Sequence, residues 1–221
     1  MKLFILPFTG GYASYFDIFV KRLAGIETIA IDFSGRGRRK QELSLHTFDE
    51  NLMDFYQVIT KISGEEPFSI WGHSLGALYA YELAGLMESN NKPSSIFLSG
   101  RTSPEFKFLP EEKILDDQEQ LERHMISAYS FAPAFIKSRI GSLQVQQIVK
   151  DYKVMATYSS SQKIVNSRTI VMYASSDPLC ENVNSWDRYV HNKISYHEFD
   201  GGHFFITKYV EEICSLIERE I

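Results

Sequence analysis

The residue of this chain best suited to act as a nucleophile is the serine of the pentapeptide Gly72-His73-Ser74-Leu75-Gly76. This pentapeptide has the G-x-S-x-G pattern of a nucleophile elbow, where a serine sits on a sharp turn between a strand and a helix. Apolar runs before and after it fit that geometry, and the two glycines would leave room where strand and helix nearly touch. Because an ordinary glycine-serine turn has the same pattern, the assignment of Ser74 depends on finding a base and an acid.

The base is sought among six histidines. His203 is the best placed, because it follows the last predicted strand and a Gly-Gly pair and precedes the final helix. We therefore expect it on a loop at the sheet edge where the serine hydroxyl projects. His73 lies inside the elbow and is expected to pack beneath it. The other four have no such placement and are expected to be solvated: His46, His124, His191 and His197.

The third group required is a carboxylate that holds the histidine in the correct tautomer. In this arrangement the acid comes between the serine and the histidine along the chain. Asp177 fits, because it follows the apolar run Thr169–Ala174 and so lies at the same edge of the sheet. A local Asp-Pro turn is the alternative explanation of this residue. Two rivals fit less well: Asp200, only three residues before the histidine, and Glu105, beyond the end of the preceding strand.

An acyl-transfer site also needs two backbone N–H donors for the negative charge that develops on the carbonyl oxygen. The amide of Leu75, the first after the predicted nucleophile, can supply one of them. The second is expected from the loop after the first strand, which has the sequence Phe8-Thr9-Gly10-Gly11. No His-Gly-Gly-Gly run is present, which disfavours a lipase or carboxylesterase.

The elements that must position these groups alternate along the chain. Helix-like segments separate six apolar strand-like runs, and this alternation predicts an α/β fold with a mainly parallel sheet of about six or seven strands, covered by helices on both faces. One predicted helix begins with Ser14 as a cap, a second begins with a Thr47–Glu50 capping box, and a third follows the elbow. Two more are predicted at about 182–192 and 204–219. Besides the elbow strand, the strand-like runs are 3–6, 28–33, 95–99, 168–174 and 194–199.

The segment 103–162 breaks the alternation, because it has helical periodicity and no strand signal. Apolar side chains recur at helical spacing at 121, 125 and 129, and again at 148, 152 and 155. We predict a helical insertion between two core strands, within a single domain that spans 1–221. The insertion is either extra packing or a lid over the serine, enclosing an apolar channel for an acyl chain.

Length and composition exclude several classes of protein. A chain of 221 residues, 44% of them hydrophobic, can bury one core. A net charge of −5 disfavours a nucleic-acid surface, and two distant cysteines argue against a disulfide framework or a metal site. Pro7 and Gly10-Gly11 interrupt the apolar start before a signal-peptide core could form, and no run is long enough to cross a membrane. We expect a cytoplasmic protein.

Together these residues are similar to the type II thioesterases that accompany non-ribosomal peptide and polyketide synthases. The match covers most of the chain, and its most specific parts are Pro7-Phe8-Thr9-Gly10-Gly11 and Gly201-Gly202-His203-Phe204-Phe205. The family usually has alanine at the position of Thr9. Further shared motifs lie at 35–38, 72–76, 99–101 and 109–112 and at Trp186.

The resemblance implies an α/β-hydrolase fold and hydrolysis of acyl, aminoacyl or peptidyl groups from the phosphopantetheine arm of carrier proteins. It implies Ser74, Asp177 and His203 as a catalytic triad, with the amides of Thr9 and Leu75 as oxyanion donors. No metal or cofactor is required, since phosphopantetheine belongs to the substrate. We expect a monomer whose partners are acyl or peptidyl carrier proteins. The alternatives are a small-molecule carboxylesterase and, in another class, a catalytically inactive fold that binds carrier proteins.

Carrier domains are generally acidic, so a net-negative enzyme needs a local basic patch to attract them. Arg36, Arg38 and Arg39 follow the second predicted strand and are expected at the same sheet edge as the serine, as possible carrier-protein contacts. The alternative is ordinary solvated charge on a tight turn formed by glycines 35 and 37. Other cations expected nearby are Lys40 and, from the predicted lid, Lys107, Arg123, Lys137 and Arg139.

Overall fold

The computed structural model describes residues 1–106, 109–129 and 131–221. Lys107, predicted as part of the basic patch, lies outside the described residues. Within them, one sheet has the strand order β2-β1-β3-β4-β5-β6, and every neighbouring pair is parallel. The predicted parallel sheet is therefore confirmed. Its strands are β1 (Lys2–Leu6), β2 (Glu27–Ala30), β3 (Phe68–His73), β4 (Ser95–Ser99), β5 (Arg168–Ala174) and β6 (Ser195–Phe199).

Helices surround the sheet, and none of those described is both long and apolar enough to cross a membrane. Short 3-10 turns at 13–16, 37–39, 178–180, 183–188 and 205–207 connect several elements. The helices are α1 (Asp17–Arg22), α2 (Phe48–Ser63), α3 (Leu75–Met87), α4 (Glu112–Asp116), α5 (Gln118–Tyr129), α6 (Pro133–Ile136), α7 (Arg139–Ala156) and α8 (Val210–Glu220).

Both faces of the sheet are buried, because side chains alternate between two hydrophobic cores along the central strands. In β1, Phe4 and Leu6 belong to one core, whereas Leu3 and Ile5 belong to the other. The first core contains the buried sides of α2 and α3, and the second contains those of α1 and α8. Burial on both faces explains why the central strands appear in the sequence as continuous apolar runs.

The insertion between β4 and β5 is helical, as predicted, and contains α4 to α7. Met125 of α5 is fully buried, and Ile148 and Tyr152 of α7 are nearly so. All three belong to the same core as α3, the helix that follows the elbow. The insertion is therefore packed onto the α2–α3 side of the sheet, against the element that presents Ser74.

The start of α2 agrees with the sequence, since Thr47 and Glu50 form the predicted capping box. The start of α1 does not. Ser14 is exposed inside a 3-10 turn and caps nothing, because the amide that opens this turn, that of Ala13, donates to the carboxylate of Asp32 at 2.7 Å. Other bounds also differ: the segment 182–192 forms a 3-10 turn at 183–188 rather than a longer helix, and β2 ends at residue 30 rather than 33. The last helix, predicted from about 204, begins at Val210 after a 3-10 turn at 205–207.

Candidate active site

Ser74 has the strained backbone conformation expected at an elbow, with φ 55° and ψ −113°. It joins β3 directly to α3, and its amide donates to the carbonyl oxygen of Ser99 in β4 at 2.7 Å. The flanking glycines are required by space. A Cβ atom on Gly72 would overlap the carbonyl group of Gly76, and one on Gly76 would overlap the carbonyl oxygen of Leu6. The elbow predicted from the pentapeptide is therefore present.

His73 lies fully buried under the elbow, as predicted. Its Nδ1 atom is 2.9 Å from the hydroxyl of Ser99, which also accepts from the Trp71 indole and donates to the Gly72 carbonyl oxygen. Because that hydroxyl has a single proton, Nδ1 of His73 must donate to it. Burial, together with the nearby His203, lowers the pKa of His73 well below its usual value, so the ring stays neutral.

His203 and Asp177 are brought together at the carboxyl edge of the sheet, where the loops after β5 and β6 meet. The Nδ1 atom of His203 lies 2.8 Å from Oδ2 of Asp177, whose side chain is fully buried. The Asp177 carboxylate also accepts from the Leu179 amide at 3.0 Å and from the Cys180 thiol at 3.4 Å. With Nδ1 of His203 donating to this carboxylate, Nε2 is left as the basic nitrogen.

The rival acid, Asp200, has a different environment. Its side chain is 82% exposed, and its nearest charged partner is the Lys208 ammonium at 3.7 Å. The geometry therefore favours Asp177 as the partner of His203. The other rival, Glu105, forms an ion pair with Arg188.

A cavity of about 720 Å³ opens onto these groups and is lined by Ser74, Asp177, His203 and Thr9. The buried guanidinium of Arg101 forms part of its wall, and burial lowers the pKa of this group to about 10. The remaining wall is mainly apolar and combines core loops with the helical insertion. It includes Phe8, Leu109, Pro110, Met155, Leu179 and Phe204.

The two predicted oxyanion donors lie at this end of the sheet. Leu75 is the first residue of α3, where a helix leaves its amides without intrahelical acceptors. Thr9 is buried in the loop after β1 and lines the cavity with Ser74. Among the described residues, neither amide donates a hydrogen bond. Both are therefore available to a ligand oxygen.

Arg36 does not belong to an exposed basic patch, contrary to expectation, and its burial disfavours the predicted carrier-protein contact. Only 7% of its side chain is exposed, and it forms a two-pronged ion pair with Asp151 of α7. The guanidinium also donates to the carbonyl oxygen of Gly11 at 3.0 Å and lies over the ring of Phe33. No local sequence pattern indicates this pair, because its members are 115 positions apart.

The other two predicted contacts differ from each other. Arg38 is 60% exposed and pairs with Asp17, so it is accessible to a partner. Arg39 is only 16% exposed and is engaged by both oxygens of Asp54, at 2.6 and 2.7 Å, and by Glu42. Arg39 thus ties the 37–39 turn to α2, and the accessible charge of this turn is mainly that of Arg38 and Lys40.

His124 is another correction, because it was expected to be solvated and is instead half-buried in the cavity wall. Its Nε2 atom lies 2.9 Å from the hydroxyl of Tyr152, which lies 2.8 Å from that of Tyr129. Burial lowers the pKa of His124. The insertion therefore contributes a polar chain of three residues to the cavity, which helical periodicity alone could not distinguish from core packing.

Comparison with known proteins places this arrangement in a family. The profile of the thioesterase domain family matches residues 1–221. The thioesterase PikA5 of Streptomyces venezuelae is 26% identical, over all of this chain and 81% of its own length. The gramicidin S biosynthesis protein GrsT of Aneurinibacillus migulanus is 27% identical, over 97% of this chain and 88% of its own.

Solved structures share the fold. ClbQ, from the colibactin NRPS/PKS pathway, has a TM-score of 0.82 at 22% identity and covers 99% of this chain and 95% of its own. YbtT, a type II thioesterase from the yersiniabactin NRPS/PKS pathway, has a TM-score of 0.84 at 19% identity and covers 99% and 92%. The elbow, the buried Asp177–His203 pair and the family match over the whole chain lead to one conclusion: this chain belongs to the thioesterase domain family.

Proposed function

We propose that the protein is an editing thioesterase that hydrolyses acyl, aminoacyl or peptidyl thioesters from the phosphopantetheine arm of carrier proteins. The observation that carries this proposal is the Asp177–His203 hydrogen bond at the wall of a cavity that Ser74 also lines. The relatives support the reaction and the kind of pathway, since PikA5 is named a thioesterase and GrsT a gramicidin S biosynthesis protein. No cofactor enters the reaction, because the pantetheine thiol is part of the substrate.

In the first step, Nε2 of His203 takes the proton of the Ser74 hydroxyl as its oxygen attacks the thioester carbon. The Asp177 carboxylate holds the opposite nitrogen and stabilises the imidazolium that forms. The carbonyl oxygen gains negative charge and accepts from the amides of Leu75 and Thr9. When the tetrahedral intermediate collapses, the C–S bond breaks and the imidazolium returns its proton to the pantetheine sulfur.

The second step regenerates the enzyme. A water molecule gives a proton to Nε2 of His203 while its oxygen attacks the acyl-serine carbon. The same two amides stabilise the second tetrahedral intermediate. Its collapse breaks the C–O bond to Ser74, whose oxygen recovers the proton, and the free acid leaves. Both steps use one base in one position.

The cavity walls suggest where the substrate lies. The apolar part accommodates an acyl chain, and the His124–Tyr152–Tyr129 chain offers hydroxyl and imidazole groups to polar acyl groups such as aminoacyl. We assign the carrier-protein surface to the accessible cations of the 37–39 turn, Arg38 above all, with Arg39 acting mainly by holding that turn.

Replacement of the nucleophile and base tests the mechanism. Ser74→Ala and His203→Ala should each lower kcat on an acyl-carrier protein by several orders of magnitude, and the double variant should be little worse than either, because the groups act as one unit. Strictly additive losses would mean that one residue acts outside the triad.

A second comparison separates the proposal from its alternatives. For one acyl chain, kcat/KM on the carrier-bound thioester should exceed that on the matching oxygen ester by orders of magnitude. The reverse order would identify a small-molecule carboxylesterase. Failure of Ser74 to react with a fluorophosphonate, together with carrier binding, would identify a non-catalytic carrier-binding protein.

A further inference from the structure

The loop that carries the proposed Thr9 donor is a tight turn with a defined orientation. The Gly11 amide donates to the carbonyl oxygen of Phe8 at 2.7 Å, and Gly10 has φ 75° whereas Thr9 does not have a positive φ. This combination is that of a type II turn, which differs from type I by a flip of its central peptide. The Phe8 carbonyl and the Thr9 N–H belong to one peptide unit, so the turn bond also fixes the direction of that N–H.

The helical insertion holds the central peptide of this turn in its flipped state. Oδ2 of Asp151, in α7, accepts the N–H of Gly10 at 2.6 Å. About two turns earlier on the same face of α7, Nε2 of Gln144 donates to the carbonyl oxygen of Gly10 at 2.7 Å. A Cβ at position 10 would overlap Ile148 of the same helix, so the contact is close. The peptide units on both sides of Gly10 are thus fixed by α7.

Arg36 makes this buried carboxylate possible. The Asp151 side chain is 4% exposed, and a buried carboxylate is stable only when it is paired and hydrogen-bonded. Arg36 engages both oxygens of Asp151 and also donates to the carbonyl oxygen of Gly11. The same carboxylate therefore neutralises the arginine and accepts the turn amide, and each contact orients the other.

We propose that Asp151 is a positioning residue for the oxyanion hole: by holding the Gly10 N–H it keeps the 8–11 turn closed, and the Phe8–Gly11 bond of that turn sets the direction of the Thr9 N–H. This inference rests on the proposed function but goes beyond it, because it assigns a role in the reaction to a residue of the helical insertion that does not line the cavity. The simpler alternative is that Asp151 only neutralises Arg36 and stabilises the fold. The two roles predict different effects of replacing Asp151: loss of a positioning residue weakens transition-state binding, whereas loss of a purely structural residue lowers only the stability of the fold.

Asp151→Asn is the first test, because it keeps the shape of the side chain. One oxygen becomes an NH2 group, which must then face either the Gly10 N–H or the Arg36 guanidinium, donor against donor. We expect kcat on a small acyl-pantetheine thioester to fall about 10²-fold, the size of effect produced by misplacing a catalytic group, with KM nearly unchanged. The unfolding midpoint should also fall, because Arg36 loses its counter-charge.

The affinity for a trifluoromethyl ketone analogue of the substrate separates the two roles, because it would not change if Asp151 were merely structural. Ser74 adds to its carbonyl carbon, the serine proton passes to His203, and the carbonyl oxygen becomes an alkoxide bound by the oxyanion donors. Its affinity should fall in Asp151→Asn by about the same factor as kcat. The affinity of the acid product, which has no such alkoxide, should stay within about twofold.

Asp54→Asn is the matched control. Asp54 also binds an arginine of the same segment with both oxygens, Arg39 at 2.6 and 2.7 Å, but it accepts from no residue of the 8–11 turn. We expect this variant to lose thermal stability. Its kcat on the small acyl-pantetheine thioester and its affinity for the trifluoromethyl ketone should both stay within about twofold of the parent values. Equal losses of kcat in the two variants would overturn the proposal, and so would full kcat in Asp151→Asn.

Two double variants keep the test decisive if Asp151→Asn does not fold. Arg36→Met/Asp151→Asn and Arg36→Met/Asp151→Leu both remove the buried unpaired charge, but only the asparagine retains an oxygen for the Gly10 N–H. The kcat of Arg36→Met/Asp151→Asn should be about tenfold higher than that of Arg36→Met/Asp151→Leu, which is the equivalent of one hydrogen bond. Equal kcat would overturn the proposal. Loss of turnover in Ser74→Ala is independent of all these outcomes, so the proposed function and this inference can fail separately.

Discussion

His203 and Asp177 share a hydrogen bond of 2.8 Å, although 26 positions separate them, while Asp200, three positions from the histidine, extends into solvent. This contact predicts which carboxylate matters. Asp177→Asn should favour the wrong tautomer of His203 and lower kcat by about 10⁴ if the loss is like that in serine proteases. Asp200→Asn should have a small effect. Steady-state kinetics on one thioester measures both, and the opposite ranking would transfer the acid role to Asp200.

The buried neutral His73 predicts how stability depends on pH. Burial lowers its pKa well below 6.5, so the unfolded chain binds a proton that the folded protein does not. The free energy of unfolding therefore decreases as pH falls below about 6.5, by up to about 1.4 kcal/mol per pH unit from this residue. His124 and His197, whose pKa values are also lowered by burial, add to the effect.

His73→Gln removes one of these contributions. Urea unfolding between about pH 5 and pH 6.5 should show a smaller slope in the variant than in the parent. An unchanged slope would mean that His73 takes up a proton inside the fold.

The elbow glycines predict an asymmetry among glycine substitutions. Gly72→Ala and Gly76→Ala place a methyl group onto backbone carbonyls and should lose at least about 3 kcal/mol of stability or fail to fold. Gly25→Ala is the control, because a Cβ there meets no atom within 4 Å and φ is not positive. Its stability should change by less than about 1 kcal/mol. Thermal unfolding of the three variants measures the difference, and similar midpoints would contradict the crowding at the elbow.

The accessible charge of Arg38 predicts a selective effect on carrier binding. Arg38→Glu should raise KM for an acyl-carrier protein several-fold, about 1 kcal/mol, and added salt should reduce the effect. KM for a free acyl-pantetheine thioester should not change. Lys61→Glu, an exposed charge reversal in the last turn of α2, at the opposite edge of the sheet, should leave both values unchanged. A similar rise on both substrates would show that Arg38 supports the site structurally.

The parts that were predictable from the sequence are those with local physical signatures. The elbow requires two glycines beside a serine, and the capping box of α2 requires Thr47 and Glu50 at a fixed spacing. His203 and Asp177 could be placed because the carboxyl ends of parallel strands meet at one sheet edge, so positions just after two strands are close in space. These predictions needed topology only, not side-chain contacts.

The residues that were misplaced depend on contacts between distant segments. Arg36 in a glycine-rich, highly charged turn has the local pattern of a solvated residue, and only the fold brings Asp151 to it. His124 finds Tyr152, 28 positions away, in the same manner. Ser14 has a residue type common at helix caps, but a carboxylate from the loop after β2 bonds to the preceding amide. In each case a contact with a distant segment replaces the local interaction that the residue type and its neighbours would indicate.

The most direct test of the central claim is where the acyl group lies during the first turnover. Acyl-carrier protein is mixed with the enzyme, quenched in acid at short times and analysed by intact-protein and peptide mass spectrometry. The mass of the enzyme should rise by one acyl group, on the peptide that contains Ser74, and then return as free acid appears. Ser74→Ala should show neither acylation nor turnover. An acyl group on another residue, or undiminished turnover in Ser74→Ala, would contradict the proposed mechanism.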